Sequence, residues 1–210
     1  MRTKMKSRIC LIRHGITEGN KRRLYYGHAD IPLAPEGVEE LKKLKDAGIY
    51  PNDDDASYYT TGLQRTEQTF SIIYGEREHS RIDGLREINF GDYEMKSHDE
   101  LKGSEYYRSW AKDNTGRMAP PNGESIQGFA ERIVQEFETL KNQHFLKELA
   151  MRHSGKEAMS IVVCHGGSIS AILESIYPGD NESFYRWIPD PGHGYILTLE
   201  DGVFTDKEKF

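Results

Sequence analysis

The chain has 210 residues, 36% hydrophobic and 30% charged, with a net charge of -6. That length fits one domain over residues 1–210, and Tyr 12, Phe 8 and Trp 2 supply core material that a disordered chain lacks. An acidic body repels nucleic acid and anionic membrane, so an anionic ligand requires a local cluster of positive charge. Cys10 and Cys164 lie in apolar runs and read as buried, reduced thiols; two cysteines make no disulfide framework. No stretch nears the ~20 apolar residues that span a bilayer. The basic start Met1 to Lys6 precedes an apolar run too short for a signal peptide, so a cytoplasmic protein is expected.

In chain order, Arg8 to Ile12 reads as a buried strand running into Arg13-His14-Gly15. A helix opens at Pro35, carries Val38, Leu41 and Leu44, and stops at Gly48. Ala56 to Thr60 is a second strand. Leu63, Thr66, Phe70 and Ile73 then mark a helix closed by Gly75. The pattern is irregular between Leu85 and Asn122, with an amphipathic piece around Tyr106, Tyr107 and Trp110; a lid insertion over about 88–122 is expected. After the break Pro120-Pro121-Asn122-Gly123 comes the longest helical pattern, Ser125 to Arg152, with Ile126, Phe129, Ile133, Phe137 and Leu140 on one stripe. Met159 to Cys164 is a strand leading to His165-Gly166-Gly167, and Ser168 to Tyr177 a helix. Tyr195 to Leu199 and Val203-Phe204 form a hairpin across Asp201-Gly202, with Asp206 to Lys209 as a solvated tail. Strands alternating with helices predict an α/β three-layer sandwich, a mostly parallel central sheet flanked by helices.

Two apolar strands end alike, Leu11-Ile12-Arg13-His14-Gly15 and Val162-Val163-Cys164-His165-Gly166-Gly167. Open α/β sheets bind ligands beyond the carboxyl ends of their strands, and glycine there lets a ligand approach the backbone. One such histidine is most often structural; two in the same setting point to a shared site. Arg13 adjoins His14, and Arg65 opens the helix after the second strand. A guanidinium fork suits a phosphoryl group, and a helix N-terminus adds free amides.

Arg13-His14-Gly15-Ile16-Thr17-Glu18-Gly19-Asn20 resembles the Arg-His-Gly-x-Thr-x-x-Asn signature of the histidine phosphatase superfamily, the phosphoglycerate mutase-like proteins. The similarity continues through Gly27 to Leu33 with Gly37, the helix start Leu63-Gln64-Arg65-Thr66 with Thr69, and Leu85 to Glu94. It resumes at Pro121-Asn122-Gly123-Glu124-Ser125 and Cys164-His165-Gly166-Gly167. The resemblance implies His14 as the nucleophile and Glu87 as the acid/base group. It further implies that Arg13, Arg65 and His165 surround the phosphoryl oxygens, with Asn20 and Gly166 as further substrate contacts. It implies no cofactor and no metal. Among other carboxylates, Glu94 and Asp92 lie close enough in sequence to exchange roles with Glu87. Glu124-Ser125 reads equally as a helix cap or a site neighbour, and Asp53-Asp54-Asp55 as a solvated turn.

The expected activity is a metal-independent phosphomonoesterase acting on a small phosphorylated metabolite through a phosphohistidine on His14. Phosphoglycerate mutase-type transfer is the first alternative; a non-catalytic phospho-ligand or protein-binding relative is the second. The mutases carry Glu-Arg-His-Tyr-Gly and a basic insertion where this chain has Glu87-Ile88-Asn89-Phe90-Gly91. Its insertion offers Lys96, Lys102, Arg108 and Lys112 but no paired arginines, placing it nearer the small phosphatases and the α-ribazole-phosphate phosphatase group. Tyr106, Tyr107, Trp110 and Phe90 either wall the leaving-group side or pack the insertion. No nucleic-acid or membrane partner is expected, and association into a homodimer is left open.

Overall fold

The computed structural model describes residues 5–180 and 183–210, so most of the basic start Met1 to Lys6 lies outside the described residues. Strand β1 (Lys6–Arg13) alternates Ile9 and Leu11 on one face with Cys10 and Ile12 on the other. All four are fully buried, because helices cover both faces of the sheet. A capping box of Thr17 and Asn20 opens the short α1 (Glu18–Lys21), followed by β2 (Leu24–Tyr25). Helix α2 (Pro35–Asp46) starts on its proline and carries Lys43 and Lys45 in its last turn, where cations suit the helix dipole. Next come β3 (Ser57–Thr60), α3 (Gln64–Tyr74) and β4 (Ser80–Arg81). Helix α3 stops at Gly75, whose φ of 74° favours glycine.

The 88–122 segment holds β5 (Lys96–Ser97), α4 (His98–Leu101) and α5 (Glu105–Ala111), gathered around Tyr93, Leu101 and Tyr107. Strand β5 pairs with β2, which ties this segment to the loop after β1. The long α6 (Ile126–Met151) begins on Ser125, whose hydroxyl accepts from the Gly128 amide. The remaining elements are β6 (Ala158–Cys164), α7 (Gly166–Ile176), β7 (Gly194–Glu200) and β8 (Val203–Lys209).

The main sheet runs β4-β3-β6-β1-β7-β8. Its first four strands are parallel, and β7 and β8 close it as an antiparallel hairpin. Leu41 of α2 with Phe70 and Ile73 of α3 packs one face. Phe129, Ile133 and Phe137 of α6 with Ile169 and Ile172 of α7 pack the other. This is the expected α/β sandwich. Cys10 and Cys164 are free thiols on opposite faces of the sheet; burial pushes both thiols up, that of Cys164 to about 12.

Two local expectations are corrected. Asp206 to Lys209 is not a tail but the body of β8, paired with Thr198 to Tyr195 of β7. An edge strand keeps its charged side chains in water, so hydropathy gives no sign of it. Helix α7 begins at Gly166 rather than Ser168, which brings its free amides to the strand end.

Helix α6 also buries His144, whose Nδ1 lies 2.9 Å from the Ser160 hydroxyl while Nε2 has no partner. Burial lowers its proton affinity from the ordinary 6.5 to about 4. Unfolded chains take up this proton below about pH 6.5 and folded ones only near pH 4. Stability is therefore complete above the first value and falls toward the second, by about 3 kcal/mol for this group. His144→Gln should reduce the loss of stability between about pH 7 and about pH 4.5 in urea titrations. An unchanged pH slope would assign the loss to other groups.

Candidate active site

Strands β3, β6 and β1 end together. The registers Arg13 opposite Cys164 and Thr60 opposite Val163 set His14 abreast of His165, with Thr61 one step back, level with Cys164. The His14 and His165 rings meet edge to face at 5.3 Å between centroids. The His14 amide donates to the Cys164 carbonyl at 3.0 Å, which locks the strand end. Its Nδ1 donates to the Gly15 carbonyl at 2.7 Å, so Nε2 keeps its lone pair. Burial first, then the Arg65 and Arg13 charges, hold the His14 pKa well below its ordinary value, against the pull of the Gly15 bond. His165 is fully buried behind it, with Nε2 2.9 Å from the Thr61 hydroxyl and Nδ1 unpartnered. Burial and the Arg65 charge lower its pKa likewise.

Arg65 is fully buried at the start of α3. Nη1 donates to Ala29 O at 2.9 Å and Nη2 to Gly27 O at 2.6 Å, and the guanidinium lies 5.1 Å from the Tyr26 ring centre. Arg13 donates through Nη1 to Pro189 O at 2.7 Å. The Nε atoms of both are buried without partners. Among the described residues neither arginine forms an ion pair. Burial lowers the proton affinity of both, yet arginine remains a cation in proteins.

Glu87 completes the group. Its Oε2 accepts from the Gly167 amide at 2.8 Å, and its Oε1 from the Ile88 amide at 3.1 Å. Burial raises its pKa, over the opposing pull of those bonds and of Arg13 and Arg65. Gly167 has no space for a side chain: a Cβ there would lie 2.2 Å from Glu87 Oε1. Asn20 spends Oδ1 on the Thr17 amide and hydroxyl, leaving Nδ2 for the cavity.

Arg13, His14, Asn20, Arg65, Glu87 and Gly166 line one cavity of about 370 Å³, and His165 stands behind His14. Two wider depressions, beside Arg77 and beside Lys156, hold none of these groups. The outer wall is largely apolar, with Tyr25, Phe90, Trp110, Ile126, Phe184 and Ile188 beside the carboxylate of Asp113, and Tyr185 at 68% exposure. Arg13 and Arg65 are the only Lys or Arg among the described lining residues. Lys102 pairs with Asp99, Lys96 bonds Asp92 O, and Arg108 bonds Lys102 O. Among the described residues, no three His, Cys, Asp or Glu side chains converge to hold a metal ion.

Other sequence-level readings resolve by contact. Tyr107 is fully buried between Tyr25 and His98, and the Tyr106 hydroxyl bonds Ala119 O; both pack the insertion, and only Phe90 and Trp110 reach the cavity. Glu94 and Asp92 do not line it. Glu124 pairs with Arg132, which also donates to the Gly84, Arg86 and Glu87 carbonyls and so braces the Glu87 segment. Asp54 and Asp55 pair with Arg77 and Lys156. Sequence reasoning missed Tyr26, Thr61, Gly167 and the Phe184–Ile188 wall. Gly167 had a signal, a second glycine where one suffices for a turn; the wall, in an irregular connection, had none.

One buried and one half-buried cation, neither ion-paired among the described residues, predict anion binding. Inorganic phosphate at about a hundred times its dissociation constant should stabilise the fold by about 2.7 kcal/mol. Arg65→Lys, lacking the planar fork, should weaken that affinity by about tenfold or more in thermal-shift titrations. Equal affinity in the variant would place the anion elsewhere.

Residues 9–208 match the family profile of the histidine phosphatase superfamily (branch 1). The chain is 33% identical over 204 residues to adenosylcobalamin/alpha-ribazole phosphatase of Salmonella typhimurium, covering 95% of this chain and 94% of that protein. It is 30% identical over 213 residues to phosphoglycerate mutase of Schizosaccharomyces pombe, covering 95% and 94%. The crystal structure of the alpha-ribazole phosphatase from Shigella flexneri superposes with a TM-score of 0.71 at 28% identity, covering 94% of this chain and 93% of that one. By sequence and by fold, the chain belongs to the histidine phosphatase superfamily.

Proposed function

We propose that the protein hydrolyses a small phosphomonoester through a phosphohistidine on His14. The observation that carries this reading is an imidazole with Nδ1 committed to Gly15 O, its lone pair free on Nε2, beside two guanidinium groups that form no ion pair among the described residues. The transferring phosphoryl group spreads charge over its equatorial oxygens, so catalysis is largely placement and electrostatic stabilisation. Arg13, Arg65 and His165 supply that field, with Asn20 Nδ2 and the first amides of α7 as further donors.

The steps balance. His14 Nε2 forms a bond to phosphorus as the ester P–O bond breaks, and Glu87 gives its proton to the departing oxygen. Water then attacks the phosphohistidine, yields a proton to Glu87, and releases phosphate. Both proton affinities fit these roles: His14 is held neutral, and Glu87 holds its proton above the usual carboxylate range. The cations present serve the phosphoryl oxygens, and the scheme calls for no metal.

The cavity wall supports hydrolysis over mutase transfer. A mutase regrips a second anionic group on its substrate, and here no cation beyond Arg13 and Arg65 lines the described wall. Aromatic and aliphatic side chains face the leaving group instead, which suits one with apolar surface. The alpha-ribazole phosphatases among its relatives accord with this reading.

A brief substrate pulse should leave acid-labile, base-stable phosphate on His14, absent in His14→Ala. EDTA should not slow turnover. Across a phosphomonoester panel, release of phosphate should outpace any isomerisation of 3-phosphoglycerate, with or without 2,3-bisphosphoglycerate; the reverse would make the protein a mutase.

The pH–rate profile should be bell-shaped, rising as His14 loses its proton at acid pH and falling as Glu87 ionises. Gly167→Ala should push the Glu87 carboxylate out of place, since its Cβ would meet Oε1 at 2.2 Å. It should lower kcat/KM for alkyl phosphates about 10²-fold and less for p-nitrophenyl phosphate, whose leaving group needs no acid. Equal losses on both esters would remove Glu87 from the acid role.

A further inference from the structure

Glu94 lines no part of the cavity, yet its carboxylate collects more backbone donors than a surface residue needs. Oε1 accepts from Gly27 N at 3.1 Å, His28 N at 3.0 Å and Phe90 N at 2.9 Å. Oε2 accepts from Gly27 N at 3.0 Å and Ala29 N at 3.1 Å. Three successive amides of one turn thus converge on a single anion, the arrangement of a backbone nest. The carbonyls of the same turn point the other way, and Gly27 O and Ala29 O take the two Nη donors of Arg65.

The peptide between Gly27 and His28 is the shared element. Its N–H donates to the Glu94 carboxylate, and its C=O accepts from the Arg65 guanidinium. One peptide dipole therefore lies between an anion and a cation, each end polarised in the sense that strengthens the other. The turn also abuts the acid segment: a Cβ on Gly27 would lie 1.6 Å from Ile88 O. At its far end Asp30 accepts from the Gln64 amide at 2.6 Å, closing the turn on the start of α3.

We propose that Glu94 is a positioning residue of the reaction, holding the 27–29 turn so that its carbonyls aim the Arg65 guanidinium at the phosphoryl group. This rests on the role given to Arg65 above. The acceptor must be a carboxylate. A glutamine would turn an NH2 group toward two of the amides that now meet oxygen, and the turn would retreat, taking the guanidinium with it. Arg65 makes its largest contribution where charge builds up on the phosphoryl oxygens, so its displacement lowers kcat more than it raises KM.

The test is a double-mutant cycle of Glu94→Gln with Arg65→Lys, on p-nitrophenyl phosphate. Displacing the guanidinium by about 1 Å should lower kcat/KM by about 10- to 100-fold in Glu94→Gln and weaken vanadate inhibition by a similar factor. In the Arg65→Lys background the same substitution should cost less than about threefold, since the group it positions is already gone. The acid limb of the pH–rate profile should move to higher pH in Glu94→Gln, because the Arg65 charge helps keep His14 unprotonated. Equal losses in both backgrounds, or an unmoved acid limb with a fully folded variant, would overturn the proposal. If Glu94→Gln loses its cooperative thermal transition, Glu94→Asp, which keeps the anion one methylene short, carries the same cycle. A wild-type protein without turnover would defeat the catalytic reading alone; the cycle then runs on vanadate affinity by calorimetry, where additivity would still defeat this one.

Discussion

A guanidinium taken out of water, with no carboxylate against it among the described residues, is the constraint around which this protein is arranged. Arg65 is wholly buried and is solvated only by peptide carbonyls and the face of Tyr26, and Arg13 by the Pro189 carbonyl. Dehydrating a cation without a counter-ion costs several kcal/mol, roughly what an arriving dianion returns. Burial first, and the same field with it, hold the proton affinity of both imidazoles well below the ordinary value. An overall acidic chain thus still carries a cleft with two fixed positive charges.

The carboxylates divide by their surroundings. Glu94 and Glu124 are saturated with amide and guanidinium donors and brace the turns that hold Arg65 and Glu87. Glu87 receives two amides and is deeply buried, and burial raises its proton affinity over the pull of Arg13 and Arg65. Three glutamates within one part of the fold thus sit in different hydrogen-bonding surroundings.

Much of this was legible in the residues. The strands ending in His14 and His165 were visible because a parallel core strand is a continuous apolar run, and the residue after each run is forced to the sheet's ligand-binding end. The motif resemblance then singled out Arg65 and Glu87, which spacing alone does not bring together. The strand Val203–Lys209 was hidden because its pairing is carried by backbone while its side chains are charged. Tyr106 and Tyr107 were ambiguous because a short amphipathic helix does not reveal which partner its face will meet; the insertion, not the cavity, took them. The roles of Gly27 and Ala29 are carried by peptide groups, which every residue has, so no side-chain pattern announces them.

The pairing of β2 with β5 has a mechanical consequence for traffic into the cleft. Leu24 and Tyr25 are laddered to Ser97 and Lys96, and the Tyr25 hydroxyl is bonded to Tyr107 inside the insertion. The roof is therefore riveted along one border, and swinging it open there would strip main-chain bonds from a dry interface. The opposite border, where Tyr185 stands largely in water, has no such ladder among the described residues. On that side the cavity is bounded by side chains rather than by paired main chain.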